Sequence, residues 1–246
     1  MSYSPLRDYL RKMAGWVWNE QAHAFRHRLT LNEETLTEML LLRMARDYDK
    51  HGLKVRIFNK PEEKRNGADW EWIIKTPTCD ISFRVQAKRL YCSDTKKEYG
   101  GLSLKSKQVD NLILKAGTSI PVYVFYNHDL GINSQLLTAG GEAGYYGRSY
   151  WGCSIASAQR VKKANSNKLS ALSKIMKPWH RLVDSAGKCS ASGALGVSQA
   201  DIDRSMPPDR RDVVERLEDR EFMLNYTKRE ELAGVAVMDF SQFRRG

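Results

Sequence analysis

The sequence predicts an α/β fold: a mixed β-sheet flanked by helices, with a long glycine-rich insertion and a C-terminal extension of helix and strand. Three observations lead there. Apolar residues recur at helical spacing up to Met44, short strand-like runs follow between Val55 and Lys88, and a helical stretch separates these from an apolar run at Ile120–Tyr126. A helix between two strands marks a crossover, so the last run is expected to lie parallel to one of its predecessors. The 246 residues, 41% of them hydrophobic, suffice for one domain with a filled core. That core is expected over residues 30–128, with the insertion at 129–152 and the extension at 153–246.

From Pro5 to Phe25, Leu6, Tyr9, Leu10, Met13, Trp16 and Val17 fall on one helical face. A second helix follows Asn32, with Leu36, Met39, Leu40 and Met44 as its stripe; Thr30 and Glu33 have capping-box spacing, which puts Glu33 and Glu34 in the first turn. Val55–Phe58 reads as a strand, residues 60–67 as a polar turn, and Asp69–Trp72 and Ile81–Lys88 as two more strands. Three strands with short connections suggest an antiparallel meander. A helix through Lys105, Gln108, Val109, Leu112 and Ile113 precedes Ile120–Tyr126. Beyond the insertion come a short strand at Cys153–Ala156, helical segments to Met176, an exposed loop at Ser185–Ser198, a helix after Pro207–Pro208 with Val213, Val214 and Leu217, and a last strand at Val235–Phe240.

Composition narrows the functional classes. Forty Lys and Arg against 29 Asp and Glu leave a net charge of +11, which draws polyanions and makes nucleic acid the first partner to consider. No stretch approaches the roughly 18 apolar residues of a membrane span, and the N-terminus lacks a signal-peptide core, so a cytoplasmic location is expected. Cys79, Cys92, Cys153 and Cys189 are scattered with no metal-site spacing and are expected to be reduced thiols.

The chemistry concentrates between Gly67 and Arg89. Side chains alternate along a strand, so Asp69 and Glu71 share one face, and Arg84, Gln86 and Lys88 share another on the next strand. Two carboxylates facing an amide and an ammonium suit metal-assisted attack on a phosphodiester. With an acid on the preceding helix, this order of a Gly-x-Asp strand and a Gln-x-Lys strand resembles the PD-(D/E)xK nuclease superfamily. Gln86-Ala87-Lys88 resembles the Gln-x-Lys variant of Mrr-type and related bacterial defence nucleases, the likeness covering Glu33 to Tyr126.

The resemblance implies a restriction-endonuclease-like fold and a Mg2+- or Mn2+-dependent endonuclease cutting DNA, with a role in anti-phage defence. It also implies Asp69 as main metal ligand and Lys88 as the group that orients the attacking water. Gln86 departs from the usual acid. Its side-chain carbonyl and the Ala87 backbone carbonyl still offer oxygens to a hard cation, and Glu71 or Glu34 would restore the missing charge. The departure also supports a rival, a catalytically inactive nucleic-acid-binding protein, and an RNA-directed nuclease shares every residue. Arg84, Arg89, Lys105, Lys107 and Gln108 lie near this site in sequence. Arg160, Lys162, Lys163 and Lys168 begin a stretch to Arg181 that contains no acid and is expected to track phosphates. Trp70 and Trp72 are expected in the core, and His128 and His180 as loop residues. A homodimer and a defence partner protein are compatible with the family likeness.

Overall fold

The computed structural model of the chain describes residues 5–47, 54–59, 69–93, 96–102, 107–128 and 148–242, with the side chains of residues 59, 69, 148 and 149 outside that description. Helices α1 (Pro5–Arg26) and α2 (Glu33–Arg46) precede β1 (Lys54–Asn59), β2 (Asp69–Lys75), β3 (Asp80–Cys92) and the short β4 (Lys97–Tyr99). Helix α3 (Gln108–Lys115) leads into β5 (Ile120–Tyr126). After a 3-10 turn at Arg148–Trp151 come β6 (Cys153–Ser157), α4 (Ala158–Ala164), α5 (Leu169–Leu172) and β7 (Lys177–Pro178). Four helices, α6 (Ala191–Leu195), α7 (Gln199–Arg204), α8 (Pro208–Glu215) and α9 (Arg220–Arg229), then lead to β8 (Leu232–Asp239). The polar turn at 60–67, Lys105 and most of the 129–152 insertion fall outside the described residues.

The sheet is mixed and eight-stranded, in the order β1-β8-β2-β3-β5-β6-β7, with β4 paired to β3. Helices cover both faces, consistent with a restriction-endonuclease-like layout. As the crossover predicted, β5 lies parallel to β3, Lys88 pairing with Phe125. The three-strand meander is corrected. β2 and β3 form an antiparallel hairpin, but β8 enters between β1 and β2, antiparallel to the first and parallel to the second. Seven consecutive buried residues of β8, from Leu232 to Met238, explain this position: such a run needs neighbours on both sides. Gly234 permits it, because a Cβ there would stand 2.7 Å from Phe58 O and 2.9 Å from the Trp70 ring.

On one face, α1 and α2 pack Leu10, Met13, Leu36 and Leu40 against Trp72, Phe83, Val85 and Val124. On the other, Leu112 of α3 and Val161 of α4 meet Leu90, Tyr123 and Phe125, while Val213 of α8 and Met223 of α9 meet Ile73 and Val235.

Several local expectations also change. Asn32, not Thr30, is the N-cap of α2, and no side chain caps the helix there. The supposed loop at Ser185–Ser198 contains α6, whose Ala191, Ala194 and Leu195 are buried. The segment after Pro207 forms two helices, with Asp219 capping the second by accepting from Phe222 N. Cys79 and Cys189 form a disulfide between the β2–β3 turn and the segment before α6, so the reduced-thiol expectation fails for this pair. Their separation of 110 residues hides the meeting from sequence. Cys92 and Cys153 are free, as expected, and burial pushes the Cys92 thiol up to about 11. His128 lies in the loop just past β5, as expected, and His180 in a 3-10 turn at Trp179–Leu182; both are buried, and His128 stacks on Phe25.

Candidate active site

β3 is long enough to outrun its partner. Its pairing with β2 ends at Trp70↔Val85, whereas its pairing with β5 continues to Arg89↔Tyr126. Beyond Val85, β3 therefore has β5 on one side and, among the described residues, no paired β2 residue on the other. A cleft of about 240 Å³ opens there, lined by Glu33, Glu34 and Thr37 of α2, Trp70 of β2, Gln86, Ala87, Lys88 and Tyr91 of β3, and Gly100 and Gly101 after β4.

Hydrogen bonds seat the α2 end of this cleft. Thr37 Oγ1 donates to Glu33 O at 2.8 Å and lies 2.8 Å from the Tyr126 hydroxyl at the end of β5. Burial first, and then the neighbouring Cys153, push the Tyr126 pKa well above the usual phenol range, so the group stays a neutral hydrogen-bonding hydroxyl. Glu33 Oε1 accepts from Arg89 N at 3.2 Å. Thus Glu33 spans from helix to strand instead of closing a capping box, and Glu34 beside it lines the cleft.

Lys88 is 7% exposed. The far wall holds it closely: a Cβ on Gly101 would stand 3.0 Å from Lys88 Nζ and 3.3 Å from Gln108 Oε1. Gly101 has φ +72°, a left-handed conformation that glycine adopts without strain, so the bend and the close approach both call for it. Gln108, the first residue of α3, is thereby brought to the Lys88 side chain, and its buried Oε1 has no hydrogen-bond partner among the described residues.

The predicted acids separate. Asp69 is the first residue of β2, one before the end of the β2–β3 pairing at Trp70↔Val85, with a register shift against β8 between Asp69 and Trp70; its side chain lies outside the described residues. Glu71 lies elsewhere. It pairs in register with Arg84, four residues before Lys88, which is roughly 13 Å along the strand. Its carboxylate is buried and fully engaged: Oε1 accepts from Ser82 Oγ at 2.8 Å and Ser119 Oγ at 3.1 Å, Oε2 accepts from Tyr226 OH at 2.5 Å, and Arg210 of α8 forms an ion pair with it. Burial first, then Glu71, raise the Tyr226 pKa far beyond its usual value. The expectation of Glu71 as a metal ligand therefore gives way to a structural role. Sequence reasoning missed Arg210 and Tyr226 because they lie on helices far along the chain.

Arg84 is also committed internally, donating from Nη1 to Lys115 O at 2.6 Å and from Nη2 to Glu231 O at 3.4 Å. Arg160 packs against Gly196 and donates to Ala194 O at 3.4 Å, and Lys162 pairs with Asp110 at 2.7 Å on the surface. Lys107, Lys163 and Lys168 are exposed. Lys168 lies beside β4 through the Glu98↔Lys168 bridge, and Tyr99 N donates to Asn167 O at 2.9 Å. With the exposed Lys96 and Lys97, it sets positive charge along the strand that leads to Gly100 and Gly101. Trp70 and Trp72 are core residues, as expected, although Trp70 also touches the cleft.

Glu34, Gln86 and Ala87 line the cleft and carry carboxylate, amide and backbone carbonyl oxygens, the kind a hard divalent cation takes, so the described residues fit Mg2+ chemically. Among the described residues no group of three His, Cys, Asp or Glu side chains converges. The described donor set thus leans on Glu34 and on carbonyl oxygens.

Residues 6–244, nearly the whole chain, match a single family model. The chain belongs to DUF6615, a family of unknown function. No curated protein and no solved structure matches it. Nothing in the DUF6615 description assigns the cleft a role, so its chemistry rests on the residues themselves. No helix among the described residues of this DUF6615 member is long and apolar enough to cross a membrane.

Proposed function

We propose that the cleft hydrolyses phosphodiester bonds in DNA with the help of a divalent cation. The observation that carries this reading is the placement of Lys88 in one cleft with Glu34, Gln86 and Ala87, at the point where β3 outruns β2. Glu34, Asp69, the Gln86 amide and the Ala87 carbonyl would hold Mg2+ or Mn2+. Such an ion neutralises charge on the phosphate oxygens and makes bound water more acidic. Lys88 Nζ, confined by Gly101, orients the attacking water and offsets the negative charge that develops at the phosphorus centre. The exposed lysines around β4 attract the backbone on either side of the scissile bond.

Purified protein mixed with supercoiled plasmid and Mg2+ or Mn2+ is expected to produce nicked and linear forms. Lys88→Ala should lower the rate by about 100- to 1,000-fold, the scale of losing one aligned donor to a developing charge. Equal nicking by both proteins would sink the assignment. Gln86, neutral where the resembled motif has an acid, favours a second reading: a protein that binds nucleic acid without cutting it. Salt-sensitive binding in EDTA, with no cleavage of DNA or RNA under either metal, would establish that alternative.

A further inference from the structure

Tyr91 is unusual among the large apolar side chains. It is 43% exposed, yet it lines the cleft that holds Lys88. The other exposed aromatic among the described residues, Phe25, is stacked on His128. The Tyr91 ring is also fixed in place. The Arg89 guanidinium carbon stands 3.9 Å from its centroid, and Arg89 is itself tied to α2 through its backbone N and Glu33 Oε1. Gly100 abuts the ring, since a Cβ there would stand 2.9 Å from Tyr91 Cε2. A ring held in this way loses little rotamer freedom when something stacks on it.

We infer that Tyr91 is a stacking platform for an unpaired nucleobase, so that the cleft takes single-stranded nucleic acid, or a strand end with its bases splayed, in preference to intact duplex. This deepens the phosphodiesterase reading and rests on it for what happens next to the base. The physical reason is geometric. A base inside a duplex is covered on both faces by its neighbours and shows only its edges in the grooves, whereas an unpaired base offers a whole π-face. The cleft, of about 240 Å³, is a small-ligand hollow and not a seat for a double helix, whose major groove alone is about 12 Å wide. Lys88 opens into the same cleft, so a base on Tyr91 would bring its own phosphate toward Lys88, with Arg89 adding positive charge behind the ring.

The test is fluorescence anisotropy with the full chain in EDTA, using a labelled oligothymidylate alone and annealed to its complement at one salt concentration. The single strand should bind more tightly than the duplex. Tyr91→Ala should weaken single-strand binding by roughly 5- to 150-fold, as the loss of one stacked base does, and leave duplex binding and the salt slope unchanged because no charge is removed. Tyr91→Phe should keep the affinity, and Tyr91→Leu, which keeps bulk without a π-face, should lose it. Equal binding of single strand by wild type and Tyr91→Ala, or no preference over duplex, overturns the inference. Cleavage assays separate the two readings. Plasmid cutting that ignores Tyr91→Ala, together with unchanged binding, removes the platform and leaves the nuclease. Absent cleavage together with a Tyr91-dependent single-strand preference removes the nuclease and leaves the platform.

Discussion

Glu71 and Lys88 stand on the same face of the β2–β3 hairpin, about four residues apart along β3, and their surroundings treat charge in opposite ways. Around Glu71 the chain closes on itself: Arg210, Tyr226, Ser82 and Ser119 meet both carboxylate oxygens, and α8 and α9 seal the site. Around Lys88 the sheet partner has ended, a glycine pair replaces side chains on one wall, and a cleft remains. A buried charge satisfied by its own chain stabilises or specifies the fold. One that lines a cleft can in addition be reached by a ligand. Position on a strand does not distinguish these cases; what packs over the strand does.

Paired substitutions at the two acids should break or sharpen this contrast. The largest expected effect is on chemistry more than on stability: Glu34→Gln should raise the Mg2+ concentration needed for half-maximal cleavage by about 10- to 100-fold, while the urea midpoint moves far less than in a Glu71 variant. A large loss of stability in that variant would erase the distinction. Glu71→Ala should do the reverse in a denaturant titration, costing about 3–5 kcal/mol because it leaves the Arg210 guanidinium buried without its carboxylate. Replacing Glu71 and Arg210 together by apolar residues should recover much of that loss, since removing both charges abolishes the desolvation penalty.

Smaller effects should come from the contact that seats α2 beside the cleft and from pH. Tyr126→Phe removes the hydroxyl that meets Thr37 and should cost about 1 kcal/mol in urea unfolding, with a larger change in cleavage rate if α2 must be seated to place Glu34. His180 provides a pH handle away from both acids. Burial first, then Arg11, Arg7 and Arg181, hold its pKa down to about 2, against 6.5 when unfolded. A depressed histidine contributes stability that is present above its unfolded value and is lost as pH falls from 6.5 toward 2. Between about pH 7 and 5 the urea midpoint should therefore drop, and His180→Gln should flatten that drop. An unchanged slope would show that the acid sensitivity arises elsewhere.

Much of the fold was legible because it is local. Helical spacing marked α1 and α2, the apolar run at Ile120 marked β5, and a helix between strands indicated the parallel pairing of β5 with β3. The Gln86–Lys88 side of the site was legible for the same reason, because alternation along one strand sets both side chains together. Glu34 entered through the first turn of α2, and the structure lines the cleft with it. Illegible features were those in which distant segments meet. The last strand was legible only as a short run at Val235–Phe240, and its place between β1 and β2 came from the meeting of distant segments. Cys79 and Cys189 looked like isolated thiols because 110 residues separate them.

The sequence by itself determined the elements, their order, the basic charge and the strand that carries Lys88, since periodicity and composition follow from neighbouring residues. Only the tertiary structure decided between the acids. Glu71 is neutralised by Arg210 and accepts a hydrogen bond from the Tyr226 hydroxyl 155 residues away, while Glu34 comes to the cleft because Thr37 and Tyr126 seat the start of α2 against the end of β5. Both outcomes depend on which helix covers which part of one strand face, and packing between distant segments sets that.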